Sequence, residues 1–198
     1  MDAVTLINSG NNFIKDVAAG KQISGALTKT GQLYTWGRCG RNSILGYGPL
    51  ENDDSSEDDI NVAQPIPRAI VELKNVITFD FGIDHAAAVT SSGQLHTWGE
   101  GKFAQLGLSD LKPRISPTMV TFPDTVSIFD VACGARFTVC VTRGGNVFSW
   151  GVGTLGQLGH EDKRRQQVPK QIVALSDIQK VSCGQDHAIA LDRSGTIY

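Results

Sequence analysis

No stretch of this chain stays hydrophobic for long. Its apolar runs stop at four residues, as at Ala86 to Val89, against the ~20 that a helix needs to cross a bilayer. No charge dominates either. The 18 Lys and Arg stand against 20 Asp and Glu, a formal net charge of −2, whereas a polyanion binder would show a basic excess. Nucleic acid or chromatin is therefore not an expected partner of this segment, and neither is membrane insertion. The opening MDAVTLINSGNN has no basic n-region and no apolar h-region, so no secretory leader is expected. Cysteine is sparse. Cys39, Cys133, Cys140 and Cys183 form no CxxC pair and share no zinc-type spacing with histidine. With no Asn-x-Ser/Thr acceptor in the chain, a reducing intracellular compartment is the expectation, cytoplasm ahead of nucleus. The cysteines are expected to be buried fillers, with no metal and no cofactor.

What the chain has in plenty is glycine, 22 of 198 residues, well above the usual ~7% and without a collagen period. The glycines recur in register. Gly20, Gly82, Gly134 and Gly184 are spaced by 62, 52 and 50 residues, and eleven residues after each stands Gly31, Gly93, Gly145 or Gly195. Sixteen residues after the first three come Trp36, Trp98 and Trp150, which are all the tryptophans in the chain. Each is followed by glycine (Gly37, Gly99, Gly151) and later by a Leu-Gly pair: Leu45-Gly46, Leu106-Gly107, Leu158-Gly159. Self-similarity at ~50 residues is the mark of a repeat architecture.

One unit reads as strands. Ile128 to Cys133 is strand-like, and the glycine after it lets the chain turn. Val139 and Val141 then alternate around Cys140, as Ala87 and Val89 do around Ala88, the period of a half-buried strand. A four-residue turn ending in glycine follows, where a short hairpin connection needs a residue with positive φ. The third strand, GQLYTW, GQLHTW or GNVFSW, ends at the tryptophan. An outer fourth strand is expected over Ala69 to Leu73, Thr118 to Thr121 and Gln171 to Leu175, each just after a proline. No window carries a sustained 3.6-residue apolar stripe. Four short antiparallel strands per repeat describe propeller blades, with units at about 13–75, 76–125, 126–177 and 178–198.

The segments WGEGKFAQLGL and WGVGTLGQLGH, with VACGARFTVCVTRGGNVFSWG and VSCGQDHAIALDRSGTIY, resemble the regulator of chromosome condensation repeat family. That resemblance implies an all-β, seven-bladed propeller, present here as about three blades and the start of a fourth, an incomplete ring. The departures are local. The first unit lacks the Gln of Gln-Leu-Gly, and the family's histidine position holds Ile23, His85, Phe137 and His187. The next tryptophan of the register would fall at position 200, so the chain is expected to be part of a longer product. Some plant members of the family sense ultraviolet light through a Gly-Trp-Arg-His-Thr loop. The matching loops here read GKQIS, GIDHA, GARFT and GQDHA, without tryptophan. The three tryptophans are expected instead to pack between blades, with each indole N–H satisfied locally.

Few motifs point to chemistry. Gly151-Val-Gly153-Thr-Leu-Gly156 matches G-x-G-x-x-G, but no helical pattern follows it and no acidic residue stands where a dinucleotide site needs one. No nucleophile elbow or Ser-His-Asp order is readable, so no covalent or acid–base active site is expected. His85 and His187, three residues after their glycines, fall on what should be the first-to-second-strand loops. With Asp84, Arg136 and Asp186, and with the basic cluster Lys163, Arg164, Arg165, they are the candidate partner-binding residues. Glu51 to Asp59 holds six acids and no base. This insertion, 51–60, is expected to be a solvated loop, in which Ser55 and Ser56, each with an acid three residues on, are candidate phosphorylation sites. The expected function is an intracellular protein-interaction propeller acting as scaffold or adaptor. The family resemblance implies two alternatives: nucleotide exchange on a Ran-like small GTPase, or a regulatory repeat domain of a larger ubiquitin ligase or kinase.

Overall fold

The computed structural model describes residues 13–39, 44–48, 62–122 and 125–198, and every regular element among them is a β-strand. One meander is drawn three times. The first sheet holds β1 (Ile14–Ala19), β2 (Ile23–Thr28), β3 (Leu33–Cys39) and β4 (Val62–Ala69). The second holds β5 (Val76–Phe81), β6 (His85–Thr90), β7 (Leu95–Gly99) and β8 (Arg114–Met119). The third holds β9 (Ile128–Cys133), β10 (Phe137–Thr142), β11 (Val147–Gly151) and β12 (Gln166–Gln171). A two-stranded sheet, β13 (Ile178–Cys183) and β14 (Ala188–Asp192), begins a fourth. The first strands lie side by side, β1 against β5, β5 against β9 and β9 against β13. The sheets are therefore blades set around an axis, and the chain is a partial β-propeller.

The turn glycines stand as the sequence leads one to expect: Gly93 and Gly145, at φ of 82° and 80°, close the β6–β7 and β10–β11 hairpins. The glycine that ends the first strand has a different reason. Gly82, Gly134 and Gly184 do not have positive φ; each lies beneath the ring of the residue three places on. A Cβ at Gly134 would sit 1.9 Å from Phe137 Cε1, and one at Gly82 would sit 2.3 Å from His85 Cε1. The glycine makes room for a side chain folded back over it, which couples the Gly and aromatic positions of the repeat.

The fourth strand lies earlier than the sequence suggests. β4, β8 and β12 contain their prolines rather than following them: Pro65 and Pro67, Pro117, and Pro169. Pairing explains this. Thr97 faces Thr118 and Gly99 faces Arg114, so residues 115–117 bulge opposite Trp98. The same shift sets 167–169 opposite Trp150 and 65–67 opposite Trp36. Proline's missing N–H costs no ladder bond in a bulge on an outer strand, and its presence blunts the sheet edge.

Burial follows the blade boundaries. One apolar cluster joins Leu27, Leu33, Leu45 and Ile70 of the first blade to Phe79, Phe81 and Trp98 of the second. The next joins Val89 and Leu95 to Val131, Cys140, Phe148 and Trp150, and the third joins Val139 and Leu158 to Ile178 and Val181. The core is thus a series of wedges between sheets.

Candidate interaction face

Adjacent blades are held by polar bonds as well as by packing. The indole N–H of Trp98 donates to the Ile44 carbonyl of the first blade at 2.7 Å, and that of Trp150 to the Gln105 carbonyl of the second at 2.9 Å. The bond is therefore not local, as the sequence suggests, but crosses the blade boundary. Trp98 and Trp150 are fully buried, whereas Trp36, on the far flank of the first blade, is half-buried. The hydroxyl before each tryptophan adds a staple within its blade. Thr35, Thr97 and Ser149 donate to the carbonyls of Leu45, Leu106 and Leu158 at 2.7, 2.7 and 2.6 Å. The recurrent Thr/Ser before Trp carried that signal in the sequence, and sequence reasoning missed it.

His85 is a correction. It is the first residue of β6, wholly buried, and so cannot meet a partner. Its Nε2 lies 2.9 Å from Thr138 Oγ1 of the next blade, and Thr138 Oγ1 donates to the Gln105 carbonyl at 2.9 Å. A hydroxyl has one proton to give. Since Thr138 spends it on Gln105, it accepts from His85, which fixes His85 as the neutral Nε2–H tautomer. Burial holds this imidazole at a pKa of about 3. Its Nδ1, facing Gly82, has no partner among the described residues. His85, Thr138, Gln105 and Trp150 thus form one chain across the joint. His187, the equivalent residue in the fourth unit, also lies over its glycine but is exposed.

The remaining candidates lie on loops at one end of the sheets, those joining β5–β6, β7–β8, β9–β10, β11–β12 and β13–β14. Asp84, Arg136 and Asp186 occupy equivalent loop positions and are exposed. The first two stand on stiff supports: the Asp84 carbonyl accepts from Glu100 N at 2.7 Å, and the Arg136 carbonyl from Val152 N at 2.9 Å. Gly99 and Gly151 pass beneath these loops, where a Cβ would meet the same carbonyls at 2.6 and 2.5 Å. The backbone is pinned and the side chains are displayed.

Two blades meet at Phe103. The Arg136 guanidinium lies 4.0 Å from its ring centroid and the Lys102 ammonium 5.3 Å, a cation–π pairing that leaves the guanidinium edge to solvent. Arg165 Nη1 reaches the Lys102 carbonyl at 3.5 Å. The structure thus brings Arg136 and Arg165 together around Lys102 and Phe103, with Lys163 and Arg164 exposed beside Arg165. Two nearby carboxylates are already engaged. Glu100 accepts from the backbone of Gly101 and Lys102, and Asp162 accepts from Arg164 N and pairs with Lys170 at 3.5 Å. The Asp162 carboxyl is held below its ordinary pKa, first by that backbone bond and then by Lys170. Among the described residues, Arg136, Lys163, Arg164 and Arg165 make no ion pair. Asp186 accepts only from its neighbour Gln185 and lies with His187 away from this cluster, beside Leu155.

At the axis, the same face opens into a depression of about 560 Å³ between Gly82, Gly134, Gly184, Cys133 and Cys183. Below it, Asp80 accepts from Cys133 N at 2.8 Å and Asp130 from Val181 N at 3.3 Å, each joining one first strand to the next. Burial raises both carboxyl pKa values and pushes the Cys133 and Cys183 thiols up. These cysteines are poor nucleophiles. Among the described residues no cluster of three His, Cys, Asp or Glu could hold a metal ion. Ser55, Ser56 and the acidic insertion 51–60 lie outside the described residues.

Blades joined by buried tryptophans beneath a loop-built face define a protein-interaction propeller segment. Models of the regulator of chromosome condensation (RCC1) repeat match residues 30–89, 92–141 and 144–191, and a second such model matches 130–157. The chain belongs to the RCC1-repeat family. It is 34% identical over 194 residues to the mouse E3 ubiquitin-protein ligase HERC2, covering 94% of this chain and 4% of that protein. It is 35% identical over 187 residues to the ultraviolet-B receptor UVR8 of Arabidopsis thaliana, covering 93% and 40%. Among solved structures, human WBSCR16 superposes with a TM-score of 0.79 at 23% identity, covering 96% of this chain and 48% of that one. Prp20p of Saccharomyces cerevisiae, studied for its binding to Gsp1p and histones, superposes at 0.76 and 23%, covering 96% and 45%. The chain spans less than half the length of each of these relatives.

Proposed function

We propose that this chain is the docking part of a larger intracellular protein, presenting the face around Phe103 to a protein partner. The observation that carries this reading is the group of four exposed cations, Arg136, Lys163, Arg164 and Arg165, which lack ion pairs among the described residues, with Arg136 on a loop pinned by Val152 N. Exposed charge of one sign steers and orients a partner more than it adds affinity. The test is a photo-crosslinking amino acid at Arg136, compared with one at Val168 on the outer strand β12. A protein captured from cytosol at position 136 alone, and lost on Arg165→Glu with folding unchanged, is the expected result. Equal capture at both positions counts against the reading.

The similarity to HERC2 across nearly the whole chain supports a second reading, a repeat domain that selects partners for a ubiquitin ligase. A finer proposal, a small GTPase as the partner, is read by release of labelled GDP. Exchange works by stabilising the nucleotide-free protein and asks for no residue beyond a shaped surface. No acceleration across a panel of GTPases removes it and leaves the docking reading standing.

A further inference from the structure

The loop tips that carry the candidate residues are tied to one another around the axis. The backbone N–H of Ile83 donates to the Ala135 carbonyl at 3.4 Å, and that of Ala135 to the Gln185 carbonyl at 2.9 Å. Ile83, Ala135 and Gln185 each stand just before one candidate. Asp84, Arg136 and Asp186 are therefore successive members of a single ring on this face, and the ring reads negative, positive, negative. Farther from the axis, on the loop between the third and fourth strands of its blade, Arg165 reaches the Lys102 carbonyl beside the Phe103 ring that backs Arg136. The positive centre is thus two arginines deep and one ring position wide.

Two properties of this pattern select an occupant. The guanidinium of Arg136, 4.0 Å over the Phe103 ring, turns its N–H edge to solvent, the geometry that takes a carboxylate through two parallel hydrogen bonds. The second property is its limited width. Asp84 and Asp186 bound Arg136 on both sides, exposed and without an ion pair among the described residues. A nucleic acid strand or an anionic bilayer carries negative charge at close, regular intervals and would set some of it against these carboxylates. A polypeptide places its charges residue by residue and can match the pattern.

We infer that the occupant of this face is an acidic polypeptide segment of the partner, with neighbouring Asp or Glu carboxylates on Arg136 and Arg165 and a Lys or Arg of the same segment beside Asp84. This rests on the docking reading above and gives it a chemistry. Asp84 then selects: it attracts the flanking cation and turns away longer polyanions. Exposed ion pairs contribute little one by one, so the segment is recognised by the order of its charges, and the contact weakens as salt rises.

The test uses the 198-residue chain and a fluorescein-labelled, capped peptide with Glu-Asp-Glu at its centre and lysine on each flank, read by anisotropy at low ionic strength. Saturable one-to-one binding is expected. It should be lost with Gln-Asn-Gln at the centre and weakened roughly tenfold by Arg136→Glu combined with Arg165→Glu. Asp84→Lys should weaken this peptide while strengthening a glutamate homopolymer of equal length and a thymidine oligonucleotide. Circular dichroism checks that the variants keep the parent's β-sheet spectrum. Four results overturn the inference: no binding by the peptide, binding indifferent to its central acids, an oligonucleotide or phosphatidylserine vesicle bound as tightly by the native chain, or an unchanged order of preference in Asp84→Lys. A crosslinker at Lys163, which leaves both arginines in place, separates this inference from the reading beneath it. Unlabelled peptide should block capture there. Capture that persists under saturating peptide overturns the acidic segment and leaves the docking reading standing, whereas no capture at either 136 or 163 removes both.

Discussion

The third blade and the β13–β14 hairpin carry nearly the same pattern, yet one is a core and the other a surface. Val139 is 3% exposed; Ile189, its counterpart, is 49% exposed. Phe137 is buried over Gly134, whereas His187 lies over Gly184 in solvent. Leu155 and Phe103 occupy the same place after their tryptophans. Phe103 is roofed by Arg136 of the next blade, and Leu155 stays 67% exposed. The difference is not in the residues themselves. A blade residue becomes core when the third strand of its own sheet and the face of a neighbouring sheet both cover it. Repeat proteins therefore draw stability from interfaces between units as much as from the units.

That contrast can be broken at several points. The largest effect is expected at the tryptophans. Trp98→Ala removes a fully buried indole with its interblade bond and should cost about 3–5 kcal/mol. Trp36→Ala, at the same strand position but half-buried, should cost well under half as much. Urea titration of both variants checks this, and equal losses would show that burial between blades contributes little. A middle-sized effect belongs to His85. Its folded pKa is about 3, below the ~6.5 of the unfolded chain, so below pH 6.5 the unfolded state takes up a proton that the folded state refuses. Stability falls as the pH drops, by about 2 kcal/mol from this group at pH 5. His85→Phe, the ring that Phe137 already places over Gly134, should flatten that part of the acid dependence when denaturant midpoints are followed from pH 7 to 5. The smallest effect separates Val139→Ala from Ile189→Ala. The buried methyls should cost roughly 1–2 kcal/mol and the half-exposed ones about 0.5 or less. Matching losses would mean that the hairpin is covered in solution.

Much of this was readable from spacing alone. The strand at 128–133, the hairpin turns at Gly93 and Gly145, and the place of Trp98 and Trp150 between blades all follow from period and register. Three features did not. The outer strands lie earlier than the sequence suggests, because the bulge opposite each tryptophan accommodates proline inside the strand. His85, three residues after Gly82 and so expected on a loop, is buried because its ring lies over Gly82 and meets the Thr138 hydroxyl 53 residues on. The cations around Phe103 come from loops more than 60 residues apart in sequence, joined by the Arg165 to Lys102 bond. No local pattern announces such a meeting.

The tryptophan bond has one more consequence. The second and third units each give an indole to a carbonyl of the unit before, so these two joints are chemically the same and point the same way round. A duplication or loss of one whole unit re-forms the joint it cuts, while an indel of any other length misaligns donor and acceptor. Gene-level change in such a chain is thereby channelled into steps of one blade, and the number of blades can drift while the way they couple does not.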